Sequence, residues 1–286
     1  MRRRTLTMTA PSVQLGFGIG WRPELALAIQ RRADLTFVEI TTENFDTNRP
    51  LPAALKQLNV KIVPHGVSLS LGSAEPIERK RVDFLARMAD MTNAPIVSEH
   101  IAFVRAGGTE AGHLLPIPRT RESLDVLVEN VNYAKRLLPV PLALENISAL
   151  VEWPDAAFSE AEFVAEVLER TDCLLLLDIA NLWANAHNFG RNALVELEKL
   201  PLARLAYVHV GGGYERDGVY YDTHAHSAPQ GAIDLLEELC ARVNPSGVML
   251  ERDDEFPPPD QLNRELDAIA AAVARGAARR ESAHVG

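Results

Sequence analysis

Cysteine is nearly absent from this chain: Cys173 and Cys240 are the two in 286 residues, too few for a disulfide framework or a thiolate metal cluster. A reducing compartment is therefore expected, with the cytoplasm as the default. No apolar run approaches the ~20 residues that a membrane-spanning helix requires, so a membrane is not an expected partner. The basic start Met1-Arg2-Arg3-Arg4 meets no sustained apolar segment before Pro11, and no secretory signal is expected. Positive charge is scarce as well. Its 29 Lys and Arg stand against 39 Asp and Glu, and the net charge of −10 argues against docking on nucleic-acid phosphates. Gly/Ser-rich linkers and short-period repeats are missing. So is a dinucleotide fingerprint: Gly16-Phe17-Gly18-Ile19-Gly20 is spaced G-x-G-x-G and runs into Trp21-Arg22-Pro23 rather than a glycine-opened helix.

What is present is an ordinary globular composition, 47% hydrophobic and 24% charged, with a regular alternation of patterns. Strands are predicted over 13–19, 35–41, 60–67, 96–103, 142–147, 174–179, 205–210 and 247–251. Their nearly continuous Val/Ile/Leu content suits a parallel sheet buried on both faces. Helices are predicted between them, among others over 78–91, 121–138, 160–170 and 232–243. In the second of these, Leu124, Leu127, Val128, Val131 and Ala134 recur at helical spacing. Ser159 with Glu162 three residues on reads as a capping box. Eight strand–helix units of this length predict an α/β fold, a (β/α)8 TIM barrel, in preference to an open doubly wound sheet. The whole chain, 1–286, is expected to be one domain, with its core over about 13–275 and a flexible tail over 276–286.

Ionisable residues gather at the C-terminal ends of these strands. The segments are Pro64-His65-Gly66, Ser98-Glu99-His100, Leu144-Glu145-Asn146, Leu177-Asp178-Ile179-Ala180-Asn181, Val208-His209, Asp222-Thr223-His224 and Leu250-Glu251-Arg252-Asp253. A barrel of this class carries its catalytic groups at that end, so all of them would meet at one mouth. Burying an ionisable group is costly unless it is paired or bound to metal. A single histidine of this kind is ordinarily a hydrogen-bonded core residue, but four at matching strand ends are not so explained. His65, His100, His209 and His224, with Glu145, Asp178, Asp222, Glu251 and the amide of Asn181, form a nitrogen/oxygen donor set without sulfur. Such a set suits Fe, Mn or Zn. Nine donors exceed what one ion uses, whereas two or three ions sharing carboxylates would use them all.

The motifs H-G-V-S-L-S-L-G from His65, S-E-H to His100, L-E-N around Glu145, L-D-I-A-N-L-W-A-N-A from Leu177 and D-T-H from Asp222 resemble the MNIO family. These are the multinuclear non-haem iron-dependent oxidative enzymes, methanobactin-biosynthesis-oxidase-like and xylose-isomerase-like in fold. The resemblance extends from about Gly16 to Asp253 and rests on the order and spacing of the motifs together. It implies a three-iron site with O2 as co-substrate, which within the two or three ions allowed by the donor count would be irons of mixed Fe(II)/Fe(III) valence. It also implies a ribosomally made precursor peptide as substrate, modified at cysteine or another side chain in natural-product biosynthesis, and a separate peptide-presenting partner protein. Carried over by position, His65, His100 and Glu145 would hold one iron. Glu145 would bridge to a second, held by Asp178, His209 and Glu251, while Asn181, Asp222 and His224 would hold a third. His65, His100, Glu145, Asp178 and His209 are the expected catalytic set. The family commonly has Asn-His-Gly after the sixth strand, where this chain reads Asn188-Phe189-Gly190 with His187 displaced.

Other readings use the same residues. The layout also resembles endonuclease IV, a trinuclear zinc phosphodiesterase that has histidine where this chain has Asn181. A dinuclear sugar isomerase or epimerase needs fewer ligands and would leave His65, His100, Asp222 and His224 unexplained. A non-enzymatic metal-binding scaffold would be expected to have lost ligands. Around the site, Glu99 is expected as a ligand or as a support for one. Arg252 and Asp253 would orient ligands or pair with each other. Trp183 is expected in packing or as a wall of the pocket, His113 on the surface or a lid, and His226 facing substrate or solvent.

Overall fold

Each predicted apolar run forms one short strand: β1 (Gly16–Gly20), β2 (Phe37–Thr41), β3 (Lys61–His65), β4 (Val97–His100), β5 (Leu142–Glu145), β6 (Leu174–Asp178), β7 (Leu205–Val210) and β8 (Gly247–Leu250). In the computed structural model, which describes residues 13–285, the strands pair in parallel and in chain order. β8 then pairs with β1, closing the barrel. Closure excludes the open doubly wound sheet. Residues 1–12, including the basic start, and Gly286 lie outside the described residues.

The helices are α1 (Ala26–Gln30), α2 (Ala53–Lys56), α3 (Arg79–Thr92), α4 (Arg121–Lys135), α5 (Glu160–Thr171), α6 (Ile179–Asn188), α7 (Ala193–Lys199), α8 (Gln230–Arg242) and α9 (Pro259–Val285). The apolar stripe of α4 is buried as its spacing predicts, and Thr120 caps the helix by accepting from the Ser123 amide at 3.2 Å. α5 opens with the Ser159–Glu162 capping box. Strand β4 is shorter than predicted and stops at His100. Phe103 instead begins a two-stranded hairpin, Phe103–Ala106 with Thr109–Leu115, and a second hairpin pairs Tyr214–Arg216 with Val219–Tyr221 after β7.

The Ala- and Arg-rich stretch from Ala268, expected as a last helix fraying into a tail, is part of a longer helix, for α9 begins at Pro259 and runs to Val285. Its alanine-rich sequence favours helix, and α8 provides a surface to pack on. Arg275 and Arg279 bond Glu237, while Gly276 lies so close to α8 that a Cβ there would meet the Glu237 carbonyl oxygen at 2.5 Å.

Side chains alternate along a strand, so inward-facing residues recur every second position. Phe37, Val63, Ile96, Ala143, Leu176, Tyr207 and Met249 form an apolar floor inside the barrel. Two residues further along the same strands come Glu39, His65, Ser98, Glu145, Asp178, His209 and Glu251, all buried. Gly18 belongs to the floor: a Cβ there would meet the Phe37 ring at 2.4 Å, which explains a glycine in β1 without any phosphate loop.

Candidate metal centre

Five overlapping groups of possible ligands lie above the floor; three adjoin in a row, His65, His100 and Glu145, then Glu145, Asp178, His209 and Glu251, then Asp178, Asp222 and His224, and the other two join Glu39, His65 and Glu251, and His224, Glu251 and Asp253. Neighbouring groups share a carboxylate, first Glu145 and then Asp178. Nε2 of His65 and Nε2 of His100 lie 3.5 and 3.3 Å from the same oxygen, Glu145 Oε2. The other oxygen, Oε1, lies 3.3 Å from His209 Nδ1, which is also 2.9 Å from Glu251 Oε2. His224 Nε2 sits 2.7 Å from Asp222 Oδ2 and 3.4 Å from Asp178 Oδ2.

These approaches are close without being hydrogen bonds. Glu145 Oε2, Asp178 Oδ2, Asn181 Oδ1, His209 Nδ1, Asp222 Oδ1, His224 Nε2 and Glu251 Oε2 are all buried and have no hydrogen-bond partner. An orphaned buried polar atom costs about 1–3 kcal/mol, and seven at one place are an unfavourable arrangement for a core. Once imidazole protons are displaced they offer the lone pairs that cations require, on hard oxygen and imidazole donors.

Local structure fixes which atom of each side chain is left over. Asp178 caps α6 with Oδ1, accepting from the Asn181 amide at 2.7 Å, so Oδ2 remains. Asn146 bonds both the backbone N–H and the carbonyl of Asp178, at 2.9 and 3.0 Å, and its own carbonyl accepts from Asn181 Nδ2 at 3.2 Å. The amide orientation of Asn181 is thereby set, and its Oδ1 is presented to the site. His224 adopts a left-handed conformation with φ of 50° and sits against the end of β7. A Cβ on Gly211 would meet its ring at 2.5 Å, so glycine is required there.

Charge balance inside the metal-free site is internal. Burial pushes the His100 imidazole down, but Glu145 and Glu99 outweigh it and bring its pKa to about 9. His209 and His224 likewise stay well above the ordinary range despite burial, held by Glu39 and Glu251 in the first case and by Asp222 and Glu251 in the second. His65 goes the other way, lowered by burial and then by the charges of His100 and His209. Burial raises Glu145 and Asp178, whereas Glu251 is held well below its usual range by His224 and His209 in spite of burial. Metal entering such a site displaces protons from imidazoles.

All nine predicted donors are brought together at one mouth. Glu99 supports His100: its Oε1 lies 3.2 Å from His100 Nδ1 and accepts from the His100 amide at 2.8 Å. Arg252 and Asp253 do not pair with each other. Arg252 is buried against Glu265 at 2.7 Å, while Asp253 pairs with Arg22 and lies 3.3 Å from His224 Nδ1. Trp183 does not wall the mouth. It stacks on His187 and lines a groove of about 600 Å3 on the outer surface, between α6, α7 and α8. His187 lies 3.6 Å from Glu215, outside the three groups. His113 and His226 are exposed. Glu39 and Ser98 lie buried beneath the imidazoles and bond His209 and His65, and Tyr207 bonds both of them; none of the three was expected from the sequence to have a role at the site. Their one signal is a glutamate inside the apolar run Phe37–Thr41.

Above the donors a cleft of about 300 Å3 opens to solvent, lined by Arg22, Thr41, Asn44, Val67, Leu114 and Asp253 and floored by His65, His100, His224 and Glu251. No helix among the described residues is long and apolar enough to cross a membrane.

Solved structures with this fold include D-psicose 3-epimerase from Clostridium cellulolyticum H10, 14% identical with a TM-score of 0.56, matched over 93% of this chain and 99% of that one. The 3-keto-D-glucoside 4-epimerase of Escherichia coli is also 14% identical, with a TM-score of 0.55, over 91% of this chain and 99% of that one. At such identity these likenesses show the (β/α)8 barrel fold alone. In sequence, a UPF0276 protein of Streptomyces avermitilis is 48% identical over 275 residues, 93% of this chain but 56% of that longer relative. A UPF0276 protein of Caulobacter vibrioides is 36% identical over 267 residues, 91% of this chain and 95% of the relative. The model of the RiPP precursor modification enzymes MbnB/TglH/ChrH matches residues 16–274, and the chain belongs to that family, the MNIO enzymes.

Proposed function

We propose that this protein is a multinuclear non-haem iron oxidase that uses O2 to modify a side chain of a ribosomally made precursor peptide. The observation that carries this reading is the set of seven buried, unpartnered donor atoms at the mouth of a barrel from a peptide-modifying family. His65, His100 and Glu145 would hold one ion, Glu145, Asp178, His209 and Glu251 a second, and Asn181, Asp178, Asp222 and His224 a third. When bound, iron supplies redox chemistry with O2 and lowers the pKa of a coordinated substrate thiol. The chain's own part is to orient donors, to exclude water below them and to admit substrate above. A cleft of about 300 Å3 suits one peptide side chain and its flanking backbone, and a partner protein that presents the peptide fits so shallow an entrance. Neither Cys173 nor Cys240 serves as nucleophile, for both are buried in the packing around the barrel, away from the mouth.

Iron rather than zinc is favoured by Asn181, whose amide oxygen is a harder and weaker donor than the imidazole of the zinc phosphodiesterases. The test is metal analysis and Mössbauer spectroscopy on anaerobically prepared protein, followed by O2 uptake with the precursor peptide encoded beside the gene. Two or three irons per chain with peptide-dependent O2 uptake are expected. Stoichiometric zinc without O2 uptake would overturn the proposal, and full activity of His100→Ala would favour a scaffold.

A further inference from the structure

Beneath the three groups runs a line of hydrogen bonds that no ligand assignment uses. His65 Nδ1 lies 2.8 Å from Ser98 Oγ, and Ser98 Oγ lies 2.7 Å from Tyr207 Oη. Tyr207 Oη is 2.6 Å from Glu39 Oε2, and the same oxygen is 2.9 Å from His209 Nε2. The members are buried, and they join histidines assigned to two different groups.

The protons along this line can be counted. An ionised carboxylate only accepts, so Glu39 Oε2 takes one hydrogen bond from Tyr207 O–H and one from His209 Nε2–H. Tyr207 has then spent its single proton and accepts from Ser98 O–H. Ser98 in turn accepts from His65 Nδ1–H. Every proton is used once, and the direction is set by the carboxylate at the end. Once metal binding has made both imidazoles neutral, the consequence is a fixed tautomer at each end: His209 offers its Nδ1 lone pair and His65 its Nε2 lone pair. Those are the two atoms that face opposite oxygens of Glu145, at 3.3 and 3.5 Å. Glu39 is within reach of His65 and Glu251 and could be read as a ligand itself. Its Oε2 already accepts twice, however, so that oxygen is committed to Tyr207 and His209.

We propose that Glu39, acting through Tyr207 and Ser98, is a positioning residue that selects the metal-binding nitrogen of His209 and His65 together and so couples the two subsites that share Glu145. This rests on the metal-centre reading above. Outer partners of this kind are worth about 10–100-fold in metal affinity.

The test uses the full chain loaded with Zn(II), which is diamagnetic, and 15N-histidine NMR with competition titration. In the wild type, His209 is expected to bind through Nδ1 with Nε2 protonated, and His65 through Nε2 with Nδ1 protonated. Glu39→Gln is expected to bind zinc about 10–100-fold more weakly and to show mixed His209 tautomers. Tyr207→Phe, which leaves each histidine its nearest partner, should keep both tautomers but lose the affinity gained when both subsites fill. The melting temperature in chelator separates these effects from loss of fold. Wild-type chain that binds neither zinc nor iron would sink the metal centre itself. Zinc bound with His209 coordinated through Nε2, or Glu39→Gln binding as tightly as wild type with unchanged tautomers, would sink only the role of Glu39. The wild-type spectrum decides even if both variants fail to fold.

Discussion

The two ends of the barrel interior are built on the same strands and have opposite characters. The floor is Phe37, Val63, Ile96, Ala143, Leu176 and Met249; two residues along, the mouth is Glu39, His65, Ser98, Glu145, Asp178 and Glu251. Strand pairing treats both layers alike, because backbone hydrogen bonding is indifferent to the side chains it carries. The free energy does not. Burying a large apolar side chain in the floor contributes about 1.5–3 kcal/mol, whereas each unpartnered donor at the mouth costs about as much. The floor thus holds a closed shape against the tension of the mouth, which cations bound as proposed would relieve. Tyr207 stands at the boundary, its ring edge-on to Phe37 at 6.2 Å and its hydroxyl in the polar layer.

That division is most sharply broken at Glu145, the carboxylate shared by two groups. Glu145→Gln is expected to abolish oxidation and to remove more than one metal ion per chain, as measured by elemental analysis. The metal-free variant should melt below metal-free wild type, because His100 and His209 lose the buried carboxylate that offsets their charge. In wild type, chelator should lower the melting temperature, because ions that bind only the folded state stabilise it by about 4 kcal/mol at a thousand times Kd. In Glu145→Gln that chelator shift should largely vanish.

The floor gives the converse. Phe37→Ala is expected to destabilise the fold by about 3–5 kcal/mol in chemical denaturation, leaving metal per folded chain unchanged. If metal content falls in proportion to stability, the two layers are not separable.

Much of this contrast was legible in the sequence, for physical reasons. Parallel strands buried on both faces must be apolar, so each barrel strand stood out as a run, and a charged residue ending such a run had no bland explanation. The period of two then placed His65, Glu145, Asp178 and His209 on one interior surface. Glu39 was not legible because it does not end its strand; it lies two residues before Thr41, where only the register with Val63 and the depth of the barrel show what it meets. The partners of Arg252 and Asp253 depend on α9 and on Arg22, far away in sequence. A last helix was legible from the Ala- and Arg-rich stretch after Ala268, but its full extent was not, because that depends on contact with α8 as well as on composition.

A smaller change refines the mouth rather than breaking it. Asn181→His replaces an orphaned amide oxygen with an imidazole at the third group. Zinc content is expected to rise several-fold relative to iron when both metals are supplied, with little change in melting temperature in chelator. An unchanged metal ratio would show that Asn181 does not set metal identity.

The smallest effect concerns the shell around both layers. Cys173 lies at the floor end of β6 and Cys240 in α8, and burial raises their thiols to about 11 and about 12. The folded chain therefore keeps both protons at a pH where the unfolded chain, with thiols near 9, has lost them. The stability that this contributes is whole below pH 9 and is lost as the pH rises from 9 towards 11 and 12. Thiol reagents at pH 8 should accordingly label neither cysteine faster than the chain unfolds, and metal should slow labelling of both by the same factor. Faster labelling of Cys173 than of Cys240 would mean that the floor opens locally, and the rigid base on which the mouth depends would then be the weaker of the two layers.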